Sequence, residues 1–198
     1  MTFIHSTADI SSSAKVGDGS SVWHYAQLRE NCNVGENVII GRNVYVGDGV
    51  SIGDNSKIQN GALVYEPAIL ERGVFIGPGV ILTNDQFPRA VNPDGSQKTG
   101  SDWTPVGVTV REGASIGAGS VCIAPVEIGA WALVAAGSIV TKSVPSFAVV
   151  AGSPAKRIGW VGKAGVPLSK ANENTYLCPK TGTEYLEHDS ITLLEVQS

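Results

Sequence analysis

The chain has 198 residues, 14 Lys and Arg against 18 Asp and Glu, a formal charge of −4 and 24 glycines, with 16% charged and 7% aromatic residues. That length favours one core with a small appendage, and the composition excludes both a disordered chain and a long coiled helix. The acidic balance without any Lys/Arg cluster excludes a general nucleic-acid binder, because a phosphate backbone demands concentrated positive charge.

The start, Met1-Thr2-Phe3-Ile4-His5-Ser6, lacks the basic and apolar regions of a signal peptide, and no run of eighteen apolar residues follows. With Cys32, Cys122 and Cys178 too few and too scattered for a disulfide scaffold, these features predict a cytoplasmic protein without a membrane segment. From Ile4 onward an aliphatic residue recurs every six positions, as in Ile10, Val16, Val22, Leu28, Val34 and Ile40, and so on to Leu82. Four residues after each comes a small or β-branched residue, such as Ala8, Ala14, Ser20, Ala26 and Cys32. A period of six fits neither a 3.6-residue helix nor a hairpin meander, but it suits short strands separated by turns. Three strands then close a coil of eighteen residues, and stacked coils pair strand on strand. Glycines at the position after the strand (Gly17, Gly35, Gly41, Gly47, Gly53, Gly77, Gly117 and Gly129) are expected to supply backbone freedom at the turns.

Residues 83–109 carry no such rhythm and read as a loop that projects from the solenoid to help form a site, or else as a tolerated surface excursion. The repeat returns at Val110, Ile116, Cys122, Ile128, Val134 and Val140, with Val144 expected in the second column beside Ala114, Ser120, Val126, Ala132 and Ser138. The tail from Val161 holds three strand-like runs around 175–178, 183–186 and 191–194. Cys178-Pro179 with Gly182 looks like half of a zinc ribbon, yet Cys178 and His188 supply at most two of four ligands, so a capping meander without metal is expected.

The hexads, above all Ile40-Gly41-Arg42-Asn43-Val44-Tyr45 and Val46-Gly47-Asp48-Gly49-Val50-Ser51, resemble those of the hexapeptide-repeat acyltransferases over residues 4–160. The resemblance implies an all-β, left-handed parallel β-helix, with domain 1–160 interrupted by the loop 83–109 and followed by an extension, 161–198. It also implies homotrimers with active sites between subunits, and reads residues 145–160 as an exit strand and short helix.

Residues eighteen apart stack into columns. His24, Arg42, Asn60 and Pro78 share one corner, Glu30, Asp48, Glu66 and Asn84 a second, and Asp18, Glu36, Asp54 and Arg72 a third. Past the loop the equivalent positions are Ala118, Ala124, Ala130 and Ala136, before Lys142. Polar corners followed by bare ones point to a polar substrate on the upper coils and a smooth groove, with Ala118 and Ala136, for a thin cofactor arm on the lower ones; alternatively, alanine merely turns tightly there.

Trp23-His24, Lys57-Ile58-Gln59-Asn60, Val64-Tyr65-Glu66, Gly77-Pro78 and Leu82-Thr83-Asn84-Asp85-Gln86-Phe87-Pro88-Arg89-Ala90 resemble the N-acetyltransferases of nucleotide-linked 3-amino sugars. That resemblance implies acetyl-CoA as co-substrate and Asn84 against the sugar amine, with direct attack by the amine and proton uptake by the departing thiolate. It also implies substrate contacts from Asn60, Tyr65, Glu66, Asp85 and Arg89, and coenzyme phosphates near Lys156 and Arg157, with Lys142 a further candidate. His24, the one internal histidine on a repeat, is a candidate general base or a structural residue. Asp85 reads as an acid/base group or a loop cap, and Trp131 has no assigned role. The acceptor is a dTDP-3-amino-3,6-dideoxyhexose or a UDP-2-acetamido-3-amino uronic acid, whose carboxylate Arg89 would pair. Competing readings are an O-acetyltransferase, a scaffold without catalysis and a zinc carbonic anhydrase, the last disfavoured because no column holds two of His5, His24 and His188.

Overall fold

The computed structural model describes residues 1–189 and 191–196. Every assigned element among them is a β-strand. Two-residue strands such as Phe3–Ile4, Asp9–Ile10 and Lys15–Val16 follow at six-residue intervals, and each pairs in parallel with the strand eighteen residues on: Phe3 with Ser21, Asp9 with Gln27, Lys15 with Asn33. The result is a three-faced β-solenoid of seven coils, with Ala148–Gly152 beginning an eighth, consistent with a left-handed parallel β-helix.

The second residue of each strand points inward. Val22, Leu28, Val34, Ile40, Val46 and Ile52 are all buried, and the second column packs beside them. That column holds small or β-branched residues such as Ala26, Cys32, Val38 and Val44, all buried. Where serine stands there, its hydroxyl is satisfied: Ser20 Oγ donates to the Gly35 carbonyl (2.8 Å) and accepts the Val38 N–H (2.9 Å).

The glycines after each strand serve close approach rather than turning. A Cβ on Gly17 would lie 2.5 Å from the Gly35 carbonyl carbon, and one on Gly117 2.5 Å from the Ala136 nitrogen, so each coil presses on the next coil's backbone. Turning falls two residues later, at positive-φ positions held mainly by glycine or asparagine, such as Gly19, Asn37, Asn43 and Gly119, with Tyr25 and Trp131 as exceptions.

Two register changes interrupt the stack. Phe75 pairs with Ser115 across the loop, and the regular coil resumes at Val108, slightly before the expected boundary. Further on, Ile128 bridges to Val144 and Leu133 pairs with Val149, so this coil has sixteen residues instead of eighteen. Val144 therefore belongs to the inward strand column, not to the second column expected from counting by six. The exit from the solenoid also differs from expectation: in place of a short helix, Ala148–Gly152 turns back antiparallel onto Ala155–Trp160. The tail is a four-stranded antiparallel meander, Ser169–Lys170, Thr175–Leu177, Glu184–Asp189 and Thr192–Glu195, one strand more than the three runs predicted. It covers the last coil through Trp160 Nε1 donating to Glu187 (3.1 Å), the Lys163 N–H donating to the Tyr185 hydroxyl (3.2 Å) and the edge-on contact of Phe147 with Tyr185. Among the described residues no helix is long and apolar enough to cross a membrane.

Candidate active site

Corner hydrogen bonds verify the columns. The Asn43 N–H donates to the His24 carbonyl, Gly61 to Arg42, Gly79 to Asn60, Gly119 to Pro78 and Gly137 to Ala118, so His24, Arg42, Asn60, Pro78, Ala118 and Ala136 form one unbroken first corner. The third corner is continuous in the same way, from Asp18 through Arg72 and Glu112 to Ala130. The second corner is the open one. Pro67 has no N–H to continue its ladder, and the loop leaves at Asn84, one coil beyond Glu66, where the Asn84 carbonyl accepts the Val106 N–H (2.9 Å) to close the loop's neck.

Some polar corner side chains have structural duties. Asn60 Oδ1 accepts the Arg42 N–H (2.9 Å) and Asp54 Oδ1 the Glu36 N–H (2.8 Å), each over a glycine of the preceding coil. Glu66 occupies the same place over Gly47, but its Oε2 is buried with no hydrogen-bond partner among the described residues. An orphaned carboxylate oxygen is costly to bury. Tyr45 and Tyr65, 5.1 Å apart, lie on the face leading to this corner; burial, and then the charge of Glu66, raises the Tyr45 phenol above its usual range.

At the loop, Asn84 is half-buried and its side chain makes no hydrogen bond among the described residues. Asp85 caps the loop, its Oδ1 accepting the Phe87 N–H (2.8 Å), and the exposed Arg89 donates to the Pro88 carbonyl (2.9 Å). The cap is thus the role the structure records for Asp85.

On the first corner, a groove of about 290 Å³ is lined by Trp23, His24, Gly41, Arg42, Gln59 and Asn60. His24 stacks on His5 with centroids 3.5 Å apart, a juxtaposition that column counting missed because the two rings come from neighbouring corner positions rather than the same one. No group of three or more His, Cys, Asp or Glu suited to a metal occurs among the described residues.

Below the loop, Ala118 and Ala136 are exposed one above the other on the first corner, whereas Lys142 is exposed on the second. Lys156 is exposed on the exit hairpin. Its neighbour Arg157 lies over the Trp160 ring (4.2 Å) and within 3.5 Å of Glu187, which commits much of its charge to the tail. Trp131, left without a role by the sequence, occupies a positive-φ corner position, packs its ring against Gly113 and lies 5.8 Å from Lys163 Nζ, so it joins solenoid to tail.

The predicted residues that lie on corners fall on two of them, with Asp85 and Arg89 in the loop and Lys156 and Arg157 on the exit hairpin. His24, Asn60, Ala118 and Ala136 share the first; Glu66, Asn84 and Lys142 share the second. His24 lies three coils before the coil of Asn84, about 14 Å along the axis at the usual strand spacing, and at a different corner. One chain does not bring them together. Arg42 and Gln59, which the sequence reading did not single out as site residues, line the groove; an arginine whose column neighbours are uncharged was the available signal.

Residues 13–50, 31–66 and 49–84 match the bacterial transferase hexapeptide family (six repeats), and residues 107–142 match the hexapeptide repeat of succinyl-transferase. The chain belongs to the hexapeptide-repeat transferase family. Over 82 residues it is 42% identical to a dTDP-3-amino-3,6-dideoxy-α-D-galactopyranose 3-N-acetyltransferase of Aneurinibacillus thermoaerophilus, covering 41% of this chain and 42% of that protein. Serine acetyltransferase of Escherichia coli (strain K12) is 35% identical over 88 residues, 44% of this chain and 31% of the enzyme. The hexapeptide transferase thus aligns with less than half of the length of these curated relatives. Among solved structures, a point mutant of GDP-perosamine N-acetyl transferase from Caulobacter crescentus, in complex with CoA and GDP-perosamine, superposes with a TM-score of 0.56 at 26% identity, covering 80% of this chain and 56% of that one.

Proposed function

We propose that this hexapeptide transferase is an acetyl-CoA-dependent N-acetyltransferase of the 3-amino group of a nucleotide-linked sugar, a dTDP-3-amino-3,6-dideoxyhexose or a UDP-2-acetamido-3-amino uronic acid, serving surface glycan synthesis. The observation that carries this reading is the opening of the second corner at Asn84. There a half-buried amide, without a side-chain hydrogen bond among the described residues, stands where the regular coil gives way to the loop, with Ala118 and Ala136 exposed on the first corner below. Similarity to the dTDP-amino-sugar 3-N-acetyltransferase, and to the GDP-perosamine enzyme with CoA, supports it. We place the sugar amine at Asn84 Oδ1, which accepts a hydrogen bond from the neutral amine and aims its lone pair at the thioester carbonyl. The nitrogen–carbon bond forms, the carbon–sulfur bond breaks, and the ammonium proton passes to the departing thiolate, so no separate base is required. The coenzyme's arm runs along Ala118 and Ala136, with Lys156 nearest its phosphates. Because the corners of one chain lie apart, the site joins the first corner of one subunit to the second corner of another in a cytoplasmic homotrimer. Residues 1–160 carry the chemistry and 161–198 form an extension.

The serine acetyltransferase similarity favours a second reading, O-acetylation of a hydroxyl acceptor. Thiol release from acetyl-CoA separates the two when measured with UDP- and dTDP-3-amino sugars, their 3-hydroxy counterparts and L-serine. Turnover with at least one 3-amino sugar and none with the hydroxyl acceptors is expected; turnover with only the hydroxyl acceptors overturns the N-acetyl reading.

A further inference from the structure

The first-corner groove is a built recognition surface that the transfer chemistry does not use. Trp23 is 42% exposed even though the Phe3 ring lies 5.2 Å from it, which leaves a large apolar surface to solvent. Its ring and that of His24 are parallel to within 11°. His24 is backed by His5, which is in turn fixed by the Thr7 N–H donating to His5 Nδ1 (3.2 Å), while Thr7 Oγ1 accepts the Tyr25 N–H (3.2 Å). The result is a flat aromatic wall held in place before any ligand arrives. Arg42 lines the same groove, one coil on from His24. The other arginines of the coils pair with carboxylates, Arg29 with Glu30, Arg72 with Glu112 and Arg111 with Glu71 and Glu127. Arg42 has no carboxylate within ion-pair distance among the described residues; its guanidinium lies 5.5 Å over the Tyr25 ring, and its backbone is braced by Asn60. An unpaired guanidinium in the same groove as an aromatic wall suits a planar heterocycle that carries phosphate. A cavity of about 290 Å³ holds part of a sugar nucleotide rather than the whole.

We infer that the groove of Trp23, His24, Arg42, Gln59 and Asn60 seats the nucleotide moiety of the substrate, with the base against the Trp23–His24 wall and the diphosphate on Arg42. This rests on the function proposed above and deepens it. His24 then acts as part of a binding wall rather than as a base, its ring lying parallel to Trp23 and stacked on His5.

Binding is measured apart from turnover by following tryptophan fluorescence and calorimetry of the full chain with dTDP, UDP and thymidine. Quenching by a nucleoside diphosphate is expected. Arg42→Ala should weaken that binding by about tenfold or more, the loss of one charge-assisted hydrogen bond, while leaving thymidine binding unchanged. Trp23→Leu should remove the quenching. His24→Ala should raise the KM for the sugar nucleotide with kcat unchanged, and His24→Phe, which keeps a ring without a titratable nitrogen, should restore KM. Arg42→Ala binding dTDP as tightly as the wild type, in a protein that acetylates amino sugars, overturns this subsite and spares the proposed function. Absence of both nucleoside diphosphate binding and sugar-nucleotide turnover in the wild type overturns both, and a kcat lost in both His24 variants restores a base at this position.

Discussion

The coils before the loop and those after it share one backbone and differ in their corners. In both halves the corner amide donates to the corner carbonyl of the preceding coil, at 2.8 Å for Gly61 to Arg42 and 2.9 Å for Gly137 to Ala118. In both, a glycine lets the next coil approach to the same separation, 2.6 Å from a Cβ at Gly77 and 2.5 Å at Gly117. What changes is that His24, Arg42 and Asn60 crown the first corner above the loop, whereas Ala118 and Ala136 leave it bare below; Ala124 is buried, and Glu112 and Lys142 keep the other two lower corners polar. Bare corners fold as regularly as polar ones, so polar corner side chains are not required by the solenoid. Arg42 and Asn84, whose side chains make no hydrogen bond among the described residues, are the corner residues that the proposed site uses.

The comparison breaks first if the two halves differ in how they stack. Gly77→Val and Gly117→Val should each cost more than about 3 kcal/mol, because the added side chain meets backbone that cannot move aside; thermal denaturation should show both variants unfolded or strongly destabilised. Asn84→Ala sharpens the functional side of the contrast: turnover should fall by about tenfold or more, the effect of one lost orienting hydrogen bond, with melting temperature and oligomeric state unchanged. Smaller effects are expected where the corner turns in open space. Gly119→Ala below the loop places a Cβ at positive φ, at a cost of about 1 kcal/mol in a denaturant titration, and Asn43→Ala above it, which exchanges one Cβ-bearing residue at positive φ for another that tolerates it less well, should cost less.

The smallest effect lies on the boundary between the halves. The Arg111 guanidinium, and then the Glu112 N–H, hold the Glu71 carboxyl below its usual range. A depressed folded-state pKa stabilises above the unfolded value of about 4.3 and ceases to do so as pH falls through the folded value. Glu71→Gln should therefore lower the melting temperature slightly at pH 7 and not at all once the pH is below that window, since exposed pairs contribute little.

The period of six made the strand positions, the inward column and the three corners readable before any coordinates, since each hexad repeats one physical unit. Counting failed where the unit changes length. The two-residue shortening before Val144 moved that residue to a strand position, and nothing in Lys142-Ser143-Val144 marks the deletion locally. The glycine rows were legible as a pattern but misread in cause, because close approach between coils is a property of the stack and not of the turn. In the site, the column containing Asn84 was readable. The stacking of His5 on His24 was not, because it depends on side chains leaning across adjacent corner positions. The commitment of Arg157 to Trp160 and Glu187 depends on how the tail folds back, which no local pattern encodes.

The division of labour between upper and lower corners is tested most directly by one kinetic cross. Apparent KM values for acetyl-CoA and for the 3-amino sugar nucleotide are measured in the wild type, in Arg42→Ala and in Ala136→Glu, which places a carboxylate in the bare groove. Arg42→Ala should raise only the KM for the sugar nucleotide and Ala136→Glu only that for acetyl-CoA; both variants impairing the same substrate would contradict a solenoid whose two halves hold different ligands.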